Sequence, residues 1–370
     1  VSADRREPRL RVLVMTNHFK WYAGSEIVAL EVAHGFAALG DDVTFAANVI
    51  GAPMSEHISG FRVTDEVSGI DLAAFDLVWC QHDLLSLLPV ATYERASNDG
   101  VPYIAYVSLS PFEPYETLNG VLARALSADV LANSAETADA VAAANEGIIE
   151  RSAIHVFHNA APQEFWARRE RESPPPPLKS VLFVSNHPPP EIDACAAMLT
   201  ERGISVRRMG LGHELGLLRP ADVAAADALV SIGKTVCYAI AMGKPAFIYD
   251  HFGGDGWLRR GNFEQNRHFN FSGRPHRRLC DPEALLNAAL DGYDAAAQES
   301  ARFGESFDLS AFQLETHLST LRTRAMTRSS GARQQRLKFM LTQPTFRAHL
   351  EACRSKGEVM RSLRRQIDAV

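Results

Sequence analysis

Three short segments place glycines, hydroxyls and charges where an anion would need them. The first is Tyr22-Ala23-Gly24-Ser25-Glu26, between an apolar run and a segment with helical spacing. Gly24 would let the backbone approach a ligand, and a helix starting there offers free N–H groups and the positive end of its dipole. An ordinary strand-to-helix turn would look similar. The second is Ser231-Ile232-Gly233-Lys234-Thr235. Glycine, lysine and a hydroxyl at a helix N-terminus form a pyrophosphate seat, with Lys234 neutralising charge on a departing nucleotide. The end of a Walker A loop has this form, but the first glycine of that motif falls on Ala228, so a P-loop ATPase is excluded. The third, residues 249–257 (YDHFGGDGW), sets Asp250 and His251 beside Gly253 and Gly254 in what reads as a loop packing backbone against a ligand. Asn186, His187 and Gly210, just past strand-like runs, complete the expected ligand-binding set.

His18, His82, His158, His187 and His251 all follow strand-like runs, where a cleft would gather them. Any one alone reads as a structural histidine; together they could orient hydroxyls or phosphates. His82, Asp83 and Glu26 are the candidate catalytic residues, and Glu113 is a further possible base. No D-x-D sequence and no His/Cys cluster with ligand spacing occurs, so no metal and no cofactor are expected. Helix dipoles and positive groups would meet the diphosphate charge instead.

The elements that must hold these residues alternate. Residues 10–16 (LRVLVMT) suit a buried strand. Residues 25–39 follow with Ile27, Leu30, Ala33 and Ala37 at helical spacing, Ser25 able to cap the start and Gly40 ending the helix. Strands are expected at 43–47, 76–80, 103–107, 130–132 and 154–157, and a helix at 134–145. Residues 170–179 (ERESPPPPLK) cannot continue a helix or a central strand and read as a stiff linker. The cycle restarts with strands at 180–185, 205–209, 228–232 and 246–249, and helices at 191–202, 235–242 and 282–293. The expected fold class is α/β, two Rossmann-like domains with a cleft between them and a C-terminal helical tail. The expected divisions are 1–170, a linker at 171–179, 180–321, and a tail at 322–370 packing back on the first domain.

With the elements in place, the chain resembles the GT-B glycosyltransferases of the family-four type. The G-S-E turn at Gly24 carries the likeness, with Ala23 in place of a first glycine. So do Asn133-Ser134-Ala135-Glu136-Thr137, like the family's N-S-x-x-T, and His158-Asn159-Ala160, like its N-G before the hinge. Residues 237–245 (CYAIAMGKP) resemble the family's E-A-M-A-C-G-x-P, but the family's glutamate falls on Tyr238 and its partner acid on Val230. The pair YDHFGG at 249–254 and NFSGR at 270–274 is similar to bacterial polysaccharide and natural-product glycosyltransferases. The resemblance implies a first domain that holds the acceptor and a second that holds a nucleotide sugar.

Composition narrows the partners. A hydrophobic share of 46% with 22% charged residues argues against global disorder, and a net charge of −6 argues against a dedicated nucleic-acid binder. The charge is uneven. Residues 322–370 hold twelve Lys/Arg against three Asp/Glu, or +9, which leaves −15 on the rest. A solvated helix face, acceptor phosphate, the acidic body and anionic lipid are all open partners for that tail. No run of eighteen apolar residues and no secretion signal occurs, and the five cysteines are scattered. A cytoplasmic setting is expected, with peripheral contact at the inner face of the membrane through the tail.

The expected activity is metal-independent transfer of a hexosyl or deoxyhexosyl group from a nucleotide-diphosphate sugar to a glycan, lipid-linked or small-molecule acceptor. An inactive GT-B scaffold stays open because both family acids are missing. A nucleotide-sugar epimerase on the same fold also stays open.

Overall fold

The computed structural model describes residues 8–112, 116, 118–169 and 176–368, without the side chains of 360, 361 and 363–368. Apolar, β-branched runs broken by helical spacing give the first half its strands and helices. In chain order these are β1 (Arg11–Phe19), α1 (Gly24–Ala38), β2 (Asp42–Ile50), β3 (Arg62–Thr64), β4 (Leu77–Gln81), α2 (Val90–Asp99), β5 (Tyr103–Ser108), α3 (Gly120–Leu126), β6 (Asp129–Ala132), α4 (Ala135–Ala144), β7 (Ile154–Val156) and α5 (Gln163–Trp166). The sheet runs β3-β2-β1-β4-β5-β6-β7 and is parallel throughout. Its order reverses between β1 and β4, so the loops after those strands part there and leave a crevice at the carboxyl edge.

The second half holds β8 (Ser180–Val184), α6 (Pro190–Glu201), β9 (Ser205–Met209), α7 (Pro220–Ala224), β10 (Ala228–Ser231), α8 (Lys234–Met242), β11 (Ala246–Asp250), β12 (Gly253–Trp257), α9 (Phe263–His268), α10 (Pro282–Asp291) and α11 (Tyr293–Ala301). Its order is β12-β11-β10-β8-β9, with the switch between β8 and β10. Each sheet has an apolar cluster on both faces, as a parallel sheet covered by helices requires.

The tail comprises α12 (Leu314–Thr327), α13 (Ser330–Leu341) and α14 (Pro344–Asp368). Leu314, Leu318 and Leu321 pack into the core of the first sheet, as do Leu337, Leu341, Phe346 and Leu350. Val359 stays exposed, and the side chains of Leu363 and Ile367 lie outside the described residues. Much of the tail's basic surplus is consumed by the body. Arg322 pairs with Asp41, Arg324 and Arg328 with Asp129, and Arg347 with Glu94.

The chain changes cores between Ala160, which packs with the first sheet, and Ala161, which packs with the second. It returns beside that point. The Ala161 N–H donates to Phe312 O at 2.8 Å, and the Leu314 N–H donates to Ala161 O at 3.1 Å. The two crossings are thus bonded to each other. Residues 170–175, with two of the four consecutive prolines, lie outside the described residues.

Two local expectations are corrected. Ser25 does not cap α1: the cap position is Ala23, the helix begins at Gly24, and Ser25 Oγ donates to Glu26 Oε2 at 2.7 Å. The glycine-rich segment after Asp250 is not a loop but the antiparallel edge strand β12.

Candidate functional site

A cavity of about 890 Å³ lies between the halves, lined from both. Its walls start at helix ends. Gly24 and Ser25 open α1 on one side, and Gly233, Lys234 and Thr235 open α8 on the other. Neither helix has a side-chain cap bond. Their first N–H groups are therefore available to a ligand, and both positive dipole ends face the same space. A Cβ on Gly24 would meet nothing within 4 Å, and one on Gly233 nothing nearer than 3.9 Å. Gly233 has φ 61°, a conformation that suits glycine. Asn133, just ahead of α4, also lines the cavity.

The loops after β8, β9 and β11 form the second-domain wall. Ser185 Oγ donates to Asp250 Oδ1 at 2.9 Å and accepts from the His187 N–H at 3.0 Å. The His251 N–H donates to the same Asp250 oxygen at 2.7 Å. Burial raises the pKa of Asp250 despite these bonds. Asn186 Nδ2 donates across the cleft to Tyr22 O at 2.7 Å. Gly210 is held at φ 121°, where a Cβ would fall 1.8 Å from Ser185 O. Asn186, His187, Gly210, Asp250 and His251 all line the cavity.

Lys234 is placed differently from its expected role. Its ammonium is buried, donates to Ala160 O, pairs with Glu31 of α1 and lies 5.2 Å from the Tyr238 ring centroid. Tyr238 Oη also donates to Glu31. Burial raises the pKa of Glu31, and the Lys234 charge and both hydrogen bonds oppose that. Tyr238 thus holds a carboxylate from the other domain.

Gly253 and Gly254 do not line the cavity. A Cβ on Gly254 would sit 1.8 Å from Ile248 O, and one on Gly253 2.3 Å from Arg278 O. The Gly254 N–H donates to Arg278 O at 3.1 Å. The two glycine-rich motifs do meet, but backbone against backbone.

The three candidate catalysts also sit behind the wall. Glu26 is buried in α1 against Ser25. His82 Nδ1 accepts the Asn17 N–H at 3.2 Å, so the ring proton lies on Nε2, which is 3.4 Å from Glu116 Oε1. Glu116 reaches the cavity where His82 does not, and its other oxygen accepts the Leu109 N–H at 2.7 Å. Asp83 faces away, toward α14, and accepts from Ser86 Oγ at 2.7 Å and from Tyr106 Oη. Burial pushes its pKa up to about 6. His158 stacks on Phe312 at 5.0 Å, and burial pushes its pKa down to about 4. Neither it nor His18 lines the cavity. Glu113 lies outside the described residues.

Several lining residues had not been singled out: Glu31, His34, His57, Glu116 and the loop 215–219. Glu31 had a signal. With Gly24 and His34 it falls at helical spacing on α1 beside the apolar stripe. The others come from loops, where residue spacing says little about direction. Among the described residues, no group of three His, Cys, Asp or Glu is placed to hold a metal ion.

No protein-family model matches the chain, and neither does any curated protein. Solved structures do. Anabaena Alr3699/HepE in complex with UDP superposes with a TM-score of 0.52 at 13% identity, covering 85% of this chain and 99% of its own. An alpha-glucosyltransferase in complex with UDP and a 13-mer DNA containing a HMU base has a TM-score of 0.50 at 12% identity, covering 87% and 100%. Together with the two Rossmann-like sheets, the cleft and the returning tail, these likenesses show that the chain has the GT-B-like glycosyltransferase fold.

Proposed function

We propose that the protein transfers a glycosyl group, hexosyl or deoxyhexosyl, from a nucleotide-diphosphate sugar to a hydroxyl of a glycan, lipid-linked or small-molecule acceptor. One observation carries this reading: the uncapped N-termini of α1 and α8, one from each domain, open on a single cavity. Each such terminus favours an anion by about 0.3–1 kcal/mol, more when partly buried. As the bond from the sugar to the diphosphate breaks, charge grows on the leaving oxygens. Fixed N–H groups there stabilise that charge without reorganising, so no metal is required. The enclosed cleft keeps water from competing with the acceptor. The UDP in the two similar structures supports a nucleoside diphosphate as the donor's leaving group.

In this reading the half up to the proline-rich linker at 171–179 faces the acceptor, the half from 180 to 321 binds the donor, and the tail from 322 closes on the first half. Gly24, Ser25, Gly233, Thr235, Asn186, His187, Asp250 and His251 surround the donor. Glu116, held by His82, is the carboxylate best placed to meet the acceptor side. Peripheral membrane contact would fall to basic residues beyond Arg328, because Arg322, Arg324 and Arg328 are paired with acids of the first half.

An inactive scaffold has one specific observation in its favour: Lys234 is already engaged by Glu31 and Ala160 O. Release of nucleoside diphosphate from a panel of nucleotide sugars, with chelator present, separates the readings. Binding without turnover of any donor, with or without acceptor, would favour the scaffold.

A further inference from the structure

A second cavity, of about 610 Å³, opens beside the first and shares Ser110 and His251 with it. Its size suits a small organic ligand. One wall comes from each half: Phe112 from the loop after β5, and Phe252 with Leu279 from the second domain. Phe112 is 58% exposed and Leu279 65%, so the chain keeps two large apolar groups in water at one mouth. Both are available to the apolar face of a ligand.

The floor is a fixed cation. The Arg274 guanidinium lies 5.2 Å from the Phe112 centroid and 5.6 Å from that of Phe252. Its Nε lies 3.0 and 3.1 Å from the two carboxylate oxygens of Glu136, on the first turn of α4. That pair balances its charge and locks its plane, so Arg274 is a flat π surface rather than a free anion ligand. Arg277 has no acid paired with it among the described residues, and its side chain is exposed. It lines the pocket at φ 45°, an unfavourable conformation for a bulky residue, held by its N–H to Gly273 O at 3.1 Å. No Asp or Glu lines the pocket among the described residues. The turn that carries Arg274 and Arg277 rests on β12, where Gly253 and Gly254 admit it. The glycines of the paired motifs thus support this pocket, while Asp250, His251 and Asn270 of the same motifs line the larger cavity.

We propose that the side pocket binds the acceptor, and that the acceptor is a hydroxylated aromatic acid. Its ring would lie against Phe112, Phe252 and the Arg274 plane, its anionic group on Arg277, and its hydroxyl toward the gap between Ser110 and His251. The flat cation–π floor favours an aromatic over a chain-like body, and Arg277 at the exposed rim supplies a positive partner for an anionic group. Calling the ligand an acceptor rests on the transferase reading; the pocket's chemistry does not.

The test is fluorescence titration of the whole chain with 6-hydroxy-2-naphthoate, with 2-naphthol and dodecyl phosphate as comparators. The naphthoate should bind saturably, and at least roughly tenfold more tightly than the naphthol, the scale of one charge-assisted bond. Phe112→Ala and Arg277→Gln should each weaken it by about tenfold, and Phe112→Tyr should retain it. Both side chains are at the surface, and unchanged thermal midpoints would confirm folding. UDP affinity, measured on the same variants, should stay within about twofold, since Phe112 and Arg277 do not line the larger cavity. Naphthoate affinity unchanged in both variants, equal binding of the neutral naphthol, or tighter binding of dodecyl phosphate would each overturn the proposal. Loss of UDP binding by the wild-type chain would instead count against the transferase reading.

Discussion

The Glu31 carboxylate of α1 and the Lys234 ammonium of α8 form an ion pair across the domain boundary, with side chains 13% and 9% exposed. Removing one member of such a pair leaves the other charge buried and unmatched, which costs about 3–5 kcal/mol. Glu31→Ala should lower unfolding stability by that amount in urea, and Glu31→Ala with Lys234→Met should recover much of it. Equal losses in the single and double variants would show that the pair is not coupled.

The same pair bears on the donor. Glu31→Gln keeps a partner for Tyr238 and Lys234 but removes a negative charge from a cavity read as anion-binding. Nucleoside diphosphate affinity should rise by roughly three- to tenfold, on the order of 1 kcal/mol across a partly wet cleft. Calorimetry that shows weaker binding would mean that Glu31 itself holds the ligand.

Gly254→Val tests the reassigned motif. Its Cβ would lie 1.8 Å from Ile248 O, so β12 must separate from β11. The variant should be destabilised by more than about 2 kcal/mol, while any folded fraction binds UDP normally. A fully stable variant with lost UDP binding would return this glycine to the donor site.

Asp83 supplies a pH test. Its folded pKa is raised to about 6 by burial. A raised carboxyl favours the folded state at acid pH. Its contribution is complete below about pH 4, near the unfolded value, and is lost as pH rises through about 6. The difference is on the order of 3 kcal/mol. Relative to wild type, Asp83→Asn should therefore gain stability between pH 4 and 7, and enzymatic turnover should survive the change. Parallel stability curves over that range would contradict the burial argument.

Much of this was legible in the sequence because it is local. Apolar runs broken by helical spacing mark most of the sheet strands, and the glycines at 24 and 233 mark the helix starts that matter. What the sequence hid is direction and partnership. Nothing in the spacing of Lys234 says that a glutamate two hundred residues away engages it. His82 and Asp83 are neighbours in sequence, yet the left-handed backbone at His82 (φ 62°) turns them to different surroundings. Gly253 and Gly254 read as a loop because glycine serves close backbone approach of either kind, to a ligand or to another strand. The partners of the basic tail stayed open between lipid, phosphate and the acidic body because its acids, Asp41, Asp129 and Glu94, lie far away in sequence.

The central claim is that the uncapped start of α8 receives a diphosphate. Thr235→Asp tests it most directly. An acid in the first turn favours the helix through its dipole, so the fold should hold or gain slightly. The same charge repels an anion at that spot. The measurement is calorimetric titration with UDP in chelator at low salt, on wild type and variant. Metal-free binding by wild type, with at least roughly tenfold weaker binding by Thr235→Asp at unchanged thermal stability, is the predicted result. Equal affinity in the two proteins, or no binding by wild type without metal, would contradict it.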